Sequence, residues 1–166
     1  PCPAGFQSLS TDSRAKPCKA CPIGRYIAAR GSFDVCKKCP AGYAQRARGR
    51  ASCDMCLPGF SQGKSEESAC KACGLGKFAN STTMLFCVSC PAGFHQPWGK
   101  QAACLACIPG QFTDGDSMRK CKECPQNWFQ NDVGAMACDR CPEARKAIGG
   151  SARCSLCKAG KYFTSL

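Results

Sequence analysis

Two cysteines separated by two residues recur nine times along this 166-residue chain. Successive pairs begin 16 to 18 residues apart, and most steps are 17. So constant a period indicates a tandem array of short repeats, which restricts the fold more than any other feature of the sequence. The pairs begin at Cys18, Cys36, Cys53, Cys70, Cys87, Cys104, Cys121, Cys138 and Cys154.

A Pro/Gly turn follows most pairs. Glycine stands three residues after the second cysteine, usually with a proline between, as in CPAGF at residues 2–6. Proline presets φ and glycine accepts a positive φ, so the pattern predicts a tight turn. Asn127 and Ala144 replace the glycine in two repeats. Asparagine tolerates the left-handed region and alanine does not, so the turn at Ala144 is predicted to be the most irregular.

An aromatic residue follows most turns, at one of two offsets. We predict that it packs on the adjacent disulfide, within a strand of three or four residues. Because successive side chains of a strand face opposite ways, the two offsets indicate repeats that are not exact copies in space. The aromatic stands four residues after the cysteine at Phe6, Tyr43, Phe60 and Phe94, and five after it at Tyr26, Phe78, Phe112, Phe129 and Tyr162.

Large aliphatic residues are too few for a conventional core. Leu, Ile, Val and Phe total 23 of 166 residues, whereas cysteines number 19. Cross-links must therefore hold the chain. The predicted fold is small and disulfide-rich: an elongated, solenoid-like rod of nine to ten 17-residue units with short β-strands and turns. Residues 1–17 are expected to be a partial first unit, 18–153 the tandem repeats, and 154–166 a truncated last unit of a longer array.

The C-x-x-C pairs allow three chemistries. A redox dithiol needs a strand-to-helix setting, and no helical pattern follows any pair. Zinc ribbons need knuckles about 15–20 residues apart, combined two by two. Here 12 to 14 residues separate the pairs of one uninterrupted array, and His95 is the single histidine. Disulfides are favoured, and neither a metal nor another cofactor is expected.

Two disulfide arrangements remain open from the residues alone. First cysteines could bond to first cysteines of the following pair, in an offset ladder. Alternatively, the second cysteine of each pair bonds to the first of the next, which leaves Cys157 without a partner in this fragment. That scheme predicts Cys2–Cys18, Cys21–Cys36, Cys39–Cys53, Cys56–Cys70, Cys73–Cys87, Cys90–Cys104, Cys107–Cys121, Cys124–Cys138 and Cys141–Cys154.

The repeat C-x-x-C-P-x-G-x-[FY]-x(8–9)-C resembles the ephrin-receptor-like (GCC-type) cysteine-rich repeat. It is also similar to the single-disulfide module of tumour necrosis factor receptor ectodomains. In those modules the cysteine before the turn bonds to the next cysteine downstream, so the resemblance implies the second arrangement. The unvaried array looks most like surface proteins of protists and algae and like mastigoneme proteins.

No catalytic grouping is visible, so an enzyme is not expected. His95 has no acid near it in sequence and is read as a loop residue. The DGD triplet at 114–116 is too short for a calcium loop. Nucleophile–base sets would need a second histidine or a free thiol in a rigid pocket.

Two surface features carry the remaining site predictions. The net charge of +12 favours polyanions, and Arg46, Arg48 and Arg50 form the densest basic segment. Asn80 begins the only N-x-S/T triplet and is predicted to be glycosylated. Disulfides place the chain outside the cell, which argues against nucleic acid as a partner. The chain has no run of 18 apolar residues, so it is not expected to span a membrane.

Two functions fit these features. The first is a structural extracellular protein: a rod or filament segment of a cell-surface, wall or flagellar-appendage assembly, whose partners are other copies or other subunits. The second is a receptor or adhesin ectodomain that binds a protein ligand or an acidic glycan.

Overall fold

The computed structural model describes residues 2–9, 17–31 and 35–157. The turn at Gly160 and the aromatic Tyr162 lie outside these ranges. We number the repeats by the cysteine that precedes each turn, here called the opening cysteine; its disulfide partner is the closing cysteine. Repeats 1 to 9 open at Cys2, Cys21, Cys39, Cys56, Cys73, Cys90, Cys107, Cys124 and Cys141.

In the described ranges every regular element is a short strand, and each repeat contributes one antiparallel hairpin. Strands have two residues, except for β1 and β2, which have three, so they are shorter than predicted. The strands are β1 (Phe6–Ser8), β2 (Cys18–Ala20), β3 (Arg25–Tyr26), β4 (Lys37–Lys38), β5 (Tyr43–Ala44), β6 (Asp54–Met55), β7 (Phe60–Ser61), β8 (Lys71–Ala72), β9 (Lys77–Phe78), β10 (Val88–Ser89), β11 (Phe94–His95), β12 (Leu105–Ala106), β13 (Gln111–Phe112), β14 (Lys122–Glu123), β15 (Trp128–Phe129), β16 (Asp139–Arg140), β17 (Arg145–Lys146) and β18 (Ser155–Leu156).

The hairpins explain the C-x-x-C spacing. The first strand of a hairpin follows the turn. The second consists of the two residues between the cysteines of a pair, preceded in repeat 1 by Cys18. In repeat 4, Phe60 pairs with Ala72 and Ser61 with Lys71. The first cysteine of a pair therefore closes one repeat, and the second opens the next.

Nine disulfides join the opening and closing cysteines in the pairs that the resemblance implies, with Cα atoms 5.5 to 5.8 Å apart. The opening cysteines of repeats 1 to 8 are at most 1% exposed. Cys157 is half-buried and has no disulfide partner among the described residues. A disulfide-rich chain of hairpin repeats is thus confirmed, and the rod shape remains a prediction.

The turn at Ala144 keeps the geometry of the others, so the prediction of an irregular turn was wrong. Ala144 has φ 61° and Asn127 has φ 67°. The N–H of Cys157 donates to the carbonyl of Ala144 at 3.0 Å, as Cys141 does to Asn127 at 2.9 Å. The alanine bears a left-handed strain of about 1–2 kcal/mol.

The chain forms two compact bodies. The first comprises Pro1–Cys73, Ala79–Cys87 and Lys100–Ala102. The second comprises Gly74–Phe78, Val88–Gly99 and Ala103–Leu166. The same contacts between repeats recur within each body.

Backbone hydrogen bonds join each repeat to the next. In the first body the N–H of Gly42 donates to the carbonyl of Gln62 at 2.7 Å, and that of Glu66 to Cys39 at 2.9 Å. In the second body the N–H of Gly93 donates to Thr113 at 2.9 Å. These bonds satisfy turn and loop groups that lie outside the hairpins.

A second left-handed residue, which we call the corner, lies in the loop of each of repeats 3 to 9. Its carbonyl packs on the turn glycine two repeats earlier, so contacts reach beyond adjacent repeats. A Cβ added to Gly76 would overlap the carbonyl of Ser117, and Gly93 is covered by Gly134 in the same way. The corners are Gly49, Glu66, Thr83, Lys100, Ser117, Gly134 and Gly150. Gly31 of repeat 2 is left-handed at the same place, but no described turn lies two repeats before it.

Glutamine forms the core of four repeats. Gln62 is 1% exposed; its Nε2 donates to the carbonyl of Ala69 at 2.7 Å, and its Oε1 accepts from the N–H of Lys64 at 3.1 Å. One amide thus braces both ends of the loop that leads to the closing cysteine. The four are Gln45, Gln62, Gln96 and Gln130.

The hairpin also explains the two aromatic offsets. Side chains at offset four face the corner two repeats on: a Cβ added to Gly134 would lie 3.7 Å from Cζ of Phe94. Side chains at offset five face the disulfide of the following repeat: Oγ of Ser61, in repeat 4, lies 3.3 Å from Sγ of Cys87, the closing cysteine of repeat 5. The aromatic rings are half-buried at both offsets. An offset-four aromatic therefore packs on a corner, while the packing of the aromatics on the adjacent disulfide stays a prediction.

Candidate functional site

A surface cleft of about 400 Å³ lies in the first body, among repeats 1 to 3. We call it the basic cleft, because three of the described side chains that line it are cationic and none of those described is acidic. The cleft is lined by Gln7, Lys19, Ala20, Pro22, Arg25, Val35, Cys36 and Arg48.

Hairpin register places the basic side chains. Lys19 lies on β2, opposite Gln7 of β1, while Arg25 begins β3 of the next repeat. Arg48 comes from the loop of repeat 3, directly before the corner Gly49. Three consecutive repeats therefore supply one cleft.

Of the three arginines of the predicted basic cluster, one lines the basic cleft and the other two do not. Arg46, Arg48 and Arg50 are all exposed, but only Arg48 is among the described residues that line the basic cleft. Sequence reasoning missed Lys19 and Arg25 because neither is close to this cluster in sequence. The available signal was register, since the C-K-x-C pattern puts the lysine on the second strand of its hairpin.

Arg25 is fixed at the wall of the cleft by Glu66, the corner of repeat 4. Arg25 Nε donates to Glu66 Oε1, and Lys38 Nζ lies 2.8 Å from Glu66 Oε2. The hydrogen bond from Arg25, followed by that from Lys38, lowers the pKa of Glu66 from 4.5 to about 2. Arg25 Nη1 also donates to the carbonyl of Cys36 at 3.4 Å. The guanidinium is therefore oriented before any ligand arrives.

One His/Cys group in the second body has ligand atoms close enough for a metal ion. Nδ1 of His95 and the sulfurs of Cys107 and Cys121 lie within 4.8 Å of one another. However, the two sulfurs are joined in a disulfide, and His95 Nδ1 contacts Cys121 Sγ at 3.1 Å. A disulfide does not supply the thiolate ligands that such a site requires, so this donor set does not fit a resident metal.

The DGD segment makes a local ion pair. Lys122 Nζ lies 2.7 Å from Asp114 Oδ1 and 5.8 Å from the ring centroid of Phe112. The hydrogen bond from Lys122 is the main cause that lowers the pKa of Asp114. Both side chains are exposed, so the pair contributes little to stability.

Asn80 is exposed directly after β9 and the buried Ala79. Ser81 and Thr82, the other two residues of the triplet, are exposed as well. An oligosaccharyltransferase needs such an accessible loop, so the geometry is compatible with glycosylation.

Comparison with known proteins places a family on part of the array. Residues 76–117 and 110–148 match the family model for tyrosine-protein kinase ephrin type A/B receptor-like repeats. These residues are ephrin-receptor-like cysteine-rich repeats. The two matches overlap and together span 73 of the 166 residues. No curated protein matches the chain.

The family match and the disulfides together indicate an extracellular repeat protein. In the described ranges, no helix is long and apolar enough to cross a membrane. The repeat family is typically non-enzymatic.

Proposed function

We propose that the chain is a structural segment of an extracellular assembly, such as a cell-surface layer, a wall or a flagellar appendage of the mastigoneme type. Its partners in this assembly are other copies of the chain or other subunits. The observation that carries the proposal is the monotony of the array. In each of the nine described turns, the carbonyl of the turn residue accepts a hydrogen bond from the N–H of the cysteine that opens the next repeat, Cys157 being the last. A receptor that evolved for one ligand would be expected to vary its modules more.

The contacts within each body support a mechanical role. Every described repeat is closed by its own disulfide, and turns are covered by corners two repeats on. Covalent closure limits how far a repeat can extend under load, while the inter-repeat contacts resist bending. Such a segment would keep its dimensions without a large hydrophobic core.

A receptor or adhesin ectodomain is the second candidate, and the family match favours it because that family model is described by receptors. In that case the chain would bind a protein ligand or an acidic glycan.

Electron microscopy of native material, labelled with an antibody against this chain, separates the two candidates. Label repeated along filaments or long rods is expected for the structural role. Label on single, dispersed ectodomains would support the receptor and contradict the filament. Label inside the cell on a reduced chain would contradict both candidates.

A further inference from the structure

We propose that the basic cleft binds an acidic glycan, with sulfate or carboxylate groups held by Lys19, Arg25 and Arg48. The proposal rests on the extracellular location within the proposed function. It is independent of whether the chain is a filament segment or a receptor.

The charge of the cleft is not neutralised by the acid beside it. Within the described part of the chain, Arg25 and the neighbouring Lys38 share one carboxylate, that of Glu66, and with Lys19 and Arg48 the five groups carry a net charge of +3. Among the described residues, neither Lys19 nor Arg48 pairs with an acidic group. Two cations are therefore available to an incoming anion.

Arg25 gives the cleft a preorganised donor. Its contacts with Glu66 and with the Cys36 carbonyl hold the guanidinium in one orientation, which lowers the entropy cost of binding. A guanidinium offers a planar fork that matches sulfate and carboxylate oxygens. Arg48 lies on the loop beside the rigid corner Gly49, whereas Lys19 reaches in from a paired strand.

The rest of the lining suits a sugar ring. Ala20, Pro22 and Val35 present apolar surface between the cationic side chains. Pyranose rings have C–H faces that pack on such surface while their anionic substituents point to the sides. A volume of about 400 Å³ lies within the range of about 300–1,000 Å³ found for small-ligand sites, and it would hold one or two sugar residues.

Concavity favours a glycan over a membrane surface. Peripheral binding to anionic lipid uses basic residues that project from a flat or convex face, usually with apolar residues that insert among headgroups. Here Arg25 is held by Glu66 at the wall of a recess, where a flat lipid surface would not reach it. A narrow anionic chain can enter the recess.

The test is surface plasmon resonance on the full 166-residue chain, secreted from an oxidising host, at 0.15 M salt. The probes are an immobilised heparin octasaccharide, which carries sulfates, and hyaluronan, which carries carboxylates alone. Vesicles containing phosphatidylserine serve as the lipid probe. Two double variants, Lys19→Gln/Arg48→Gln and Arg46→Gln/Arg50→Gln, remove the same charge, inside and outside the cleft respectively. Non-reducing mass spectrometry first checks that both retain nine disulfides.

We expect the cleft variant to lose at least about tenfold in affinity, the loss expected when charged hydrogen bonds are removed. The matched variant should lose less than about threefold, since exposed charges outside the site act only through the general field. Binding to heparin or to hyaluronan would support the proposal and would identify sulfate or carboxylate as the group recognised.

Equal losses in the two variants would show diffuse attraction to a basic surface and would overturn the cleft. The absence of glycan binding, or tighter binding to the vesicles than to either glycan, would overturn it as well. If the chain is found outside the cell but binds no glycan, the glycan proposal alone is overturned. If the chain is found reduced and inside the cell, the proposed function is overturned.

Discussion

Arg25 in repeat 2 forms an ion pair with Glu66, the left-handed corner of repeat 4, across 41 residues of sequence. Where repeat 6 packs the ring of Phe94 against the corner Gly134, repeat 2 uses a charge pair at the equivalent positions. The side chain at offset four thus contacts the corner two repeats on, by apolar packing in repeat 6 and by an ion pair in repeat 2.

The titration of Glu66 tests this pair. The pKa of Glu66 is lowered to about 2 in the folded chain, so the pair contributes stability above the ordinary value of 4.5 and loses it as the pH falls through about 2. We expect NMR of the side-chain carboxyl to give a midpoint near the lower value. Arg25→Gln should raise it more than Lys38→Gln, because the bond from Arg25 is the larger cause. A midpoint that neither variant moves would contradict the pairing.

Turn glycines should be irreplaceable where a corner covers them. Gly76 has φ +70° and lies beneath the Ser117 carbonyl, whereas a Cβ on Gly74, in the same turn, would meet nothing within 4 Å. We expect Gly76→Ala to destabilise its surroundings by about 2–4 kcal/mol, from left-handed strain and overpacking. Hydrogen exchange should then show faster opening in the second body. The matched variant Gly74→Ala should behave as the wild type, and equal effects would refute the role of the corner.

The buried glutamines should act as core residues despite their polarity. Gln62→Ala removes the bonds to Ala69 and Lys64 and leaves a cavity, so we expect a local loss of about 2–4 kcal/mol. The exchange rate of the Lys64 amide measures it directly. The exposed Gln126, changed to alanine, is the control and should have no effect. Unchanged protection of Lys64 in the Gln62 variant would show that the brace is dispensable.

Tryptic mapping of the non-reduced chain distinguishes the two disulfide arrangements. Cleavage at Lys71 and Lys122 separates the cysteines of a pair. Two linked peptides should therefore join Cys73 to Cys87, whereas Cys124 and Cys138 should be bridged within the single peptide 123–140. Links between first cysteines of successive pairs would establish the offset ladder. Because each closed loop contributes about 3 kcal/mol in the chain-entropy model, we expect reduction to unfold the chain, visible as a loss of dispersion in the NMR spectrum.

Occupancy of Asn80 can be read from a gel shift after expression in a eukaryotic secretory host. We expect endoglycosidase treatment to reduce the apparent mass of the wild type and of Asn131→Gln, which removes an exposed asparagine outside any triplet. Asn80→Gln should migrate as the deglycosylated form. A wild-type chain that the enzyme does not shift would contradict glycosylation in that host.

The periodic features of this fold could be read directly from the sequence. Spacing of C-x-x-C gave the repeat, and Pro with Gly gave the turn, because both residue types have strong backbone preferences. The corners were missed because Glu66, Thr83, Lys100 and Ser117 occupy a left-handed position without being glycine. The sequence signal for this position was the recurrence of glycine at the same place in several repeats, at Gly31, Gly49, Gly134 and Gly150.

The glutamine core was missed because polar residues are expected at the surface. Its signal was a glutamine two residues after an offset-four aromatic, followed seven residues later by alanine or serine before the closing cysteine. Gln62 with Ala69 and Gln96 with Ala103 show the pattern. The complete cleft was beyond sequence reasoning: hairpin register places Lys19, but contacts between repeats are needed to bring it together with Arg25 and Arg48.

The cover that corners provide has a consequence for anyone who wishes to shorten or transplant this array. A cut after repeat 7 would remove both Gly134 and Gly150, and so would bare two turns, those of Gly93 and Gly110, instead of one. The smallest segment that keeps a turn covered runs from the turn glycine to the corner that packs on it, two repeats on. The first family match, 76–117, begins at Gly76 and ends at Ser117, the residue that covers it. Grafts of this chain should accordingly be counted in such spans, and a single 17-residue period is too short to stand alone.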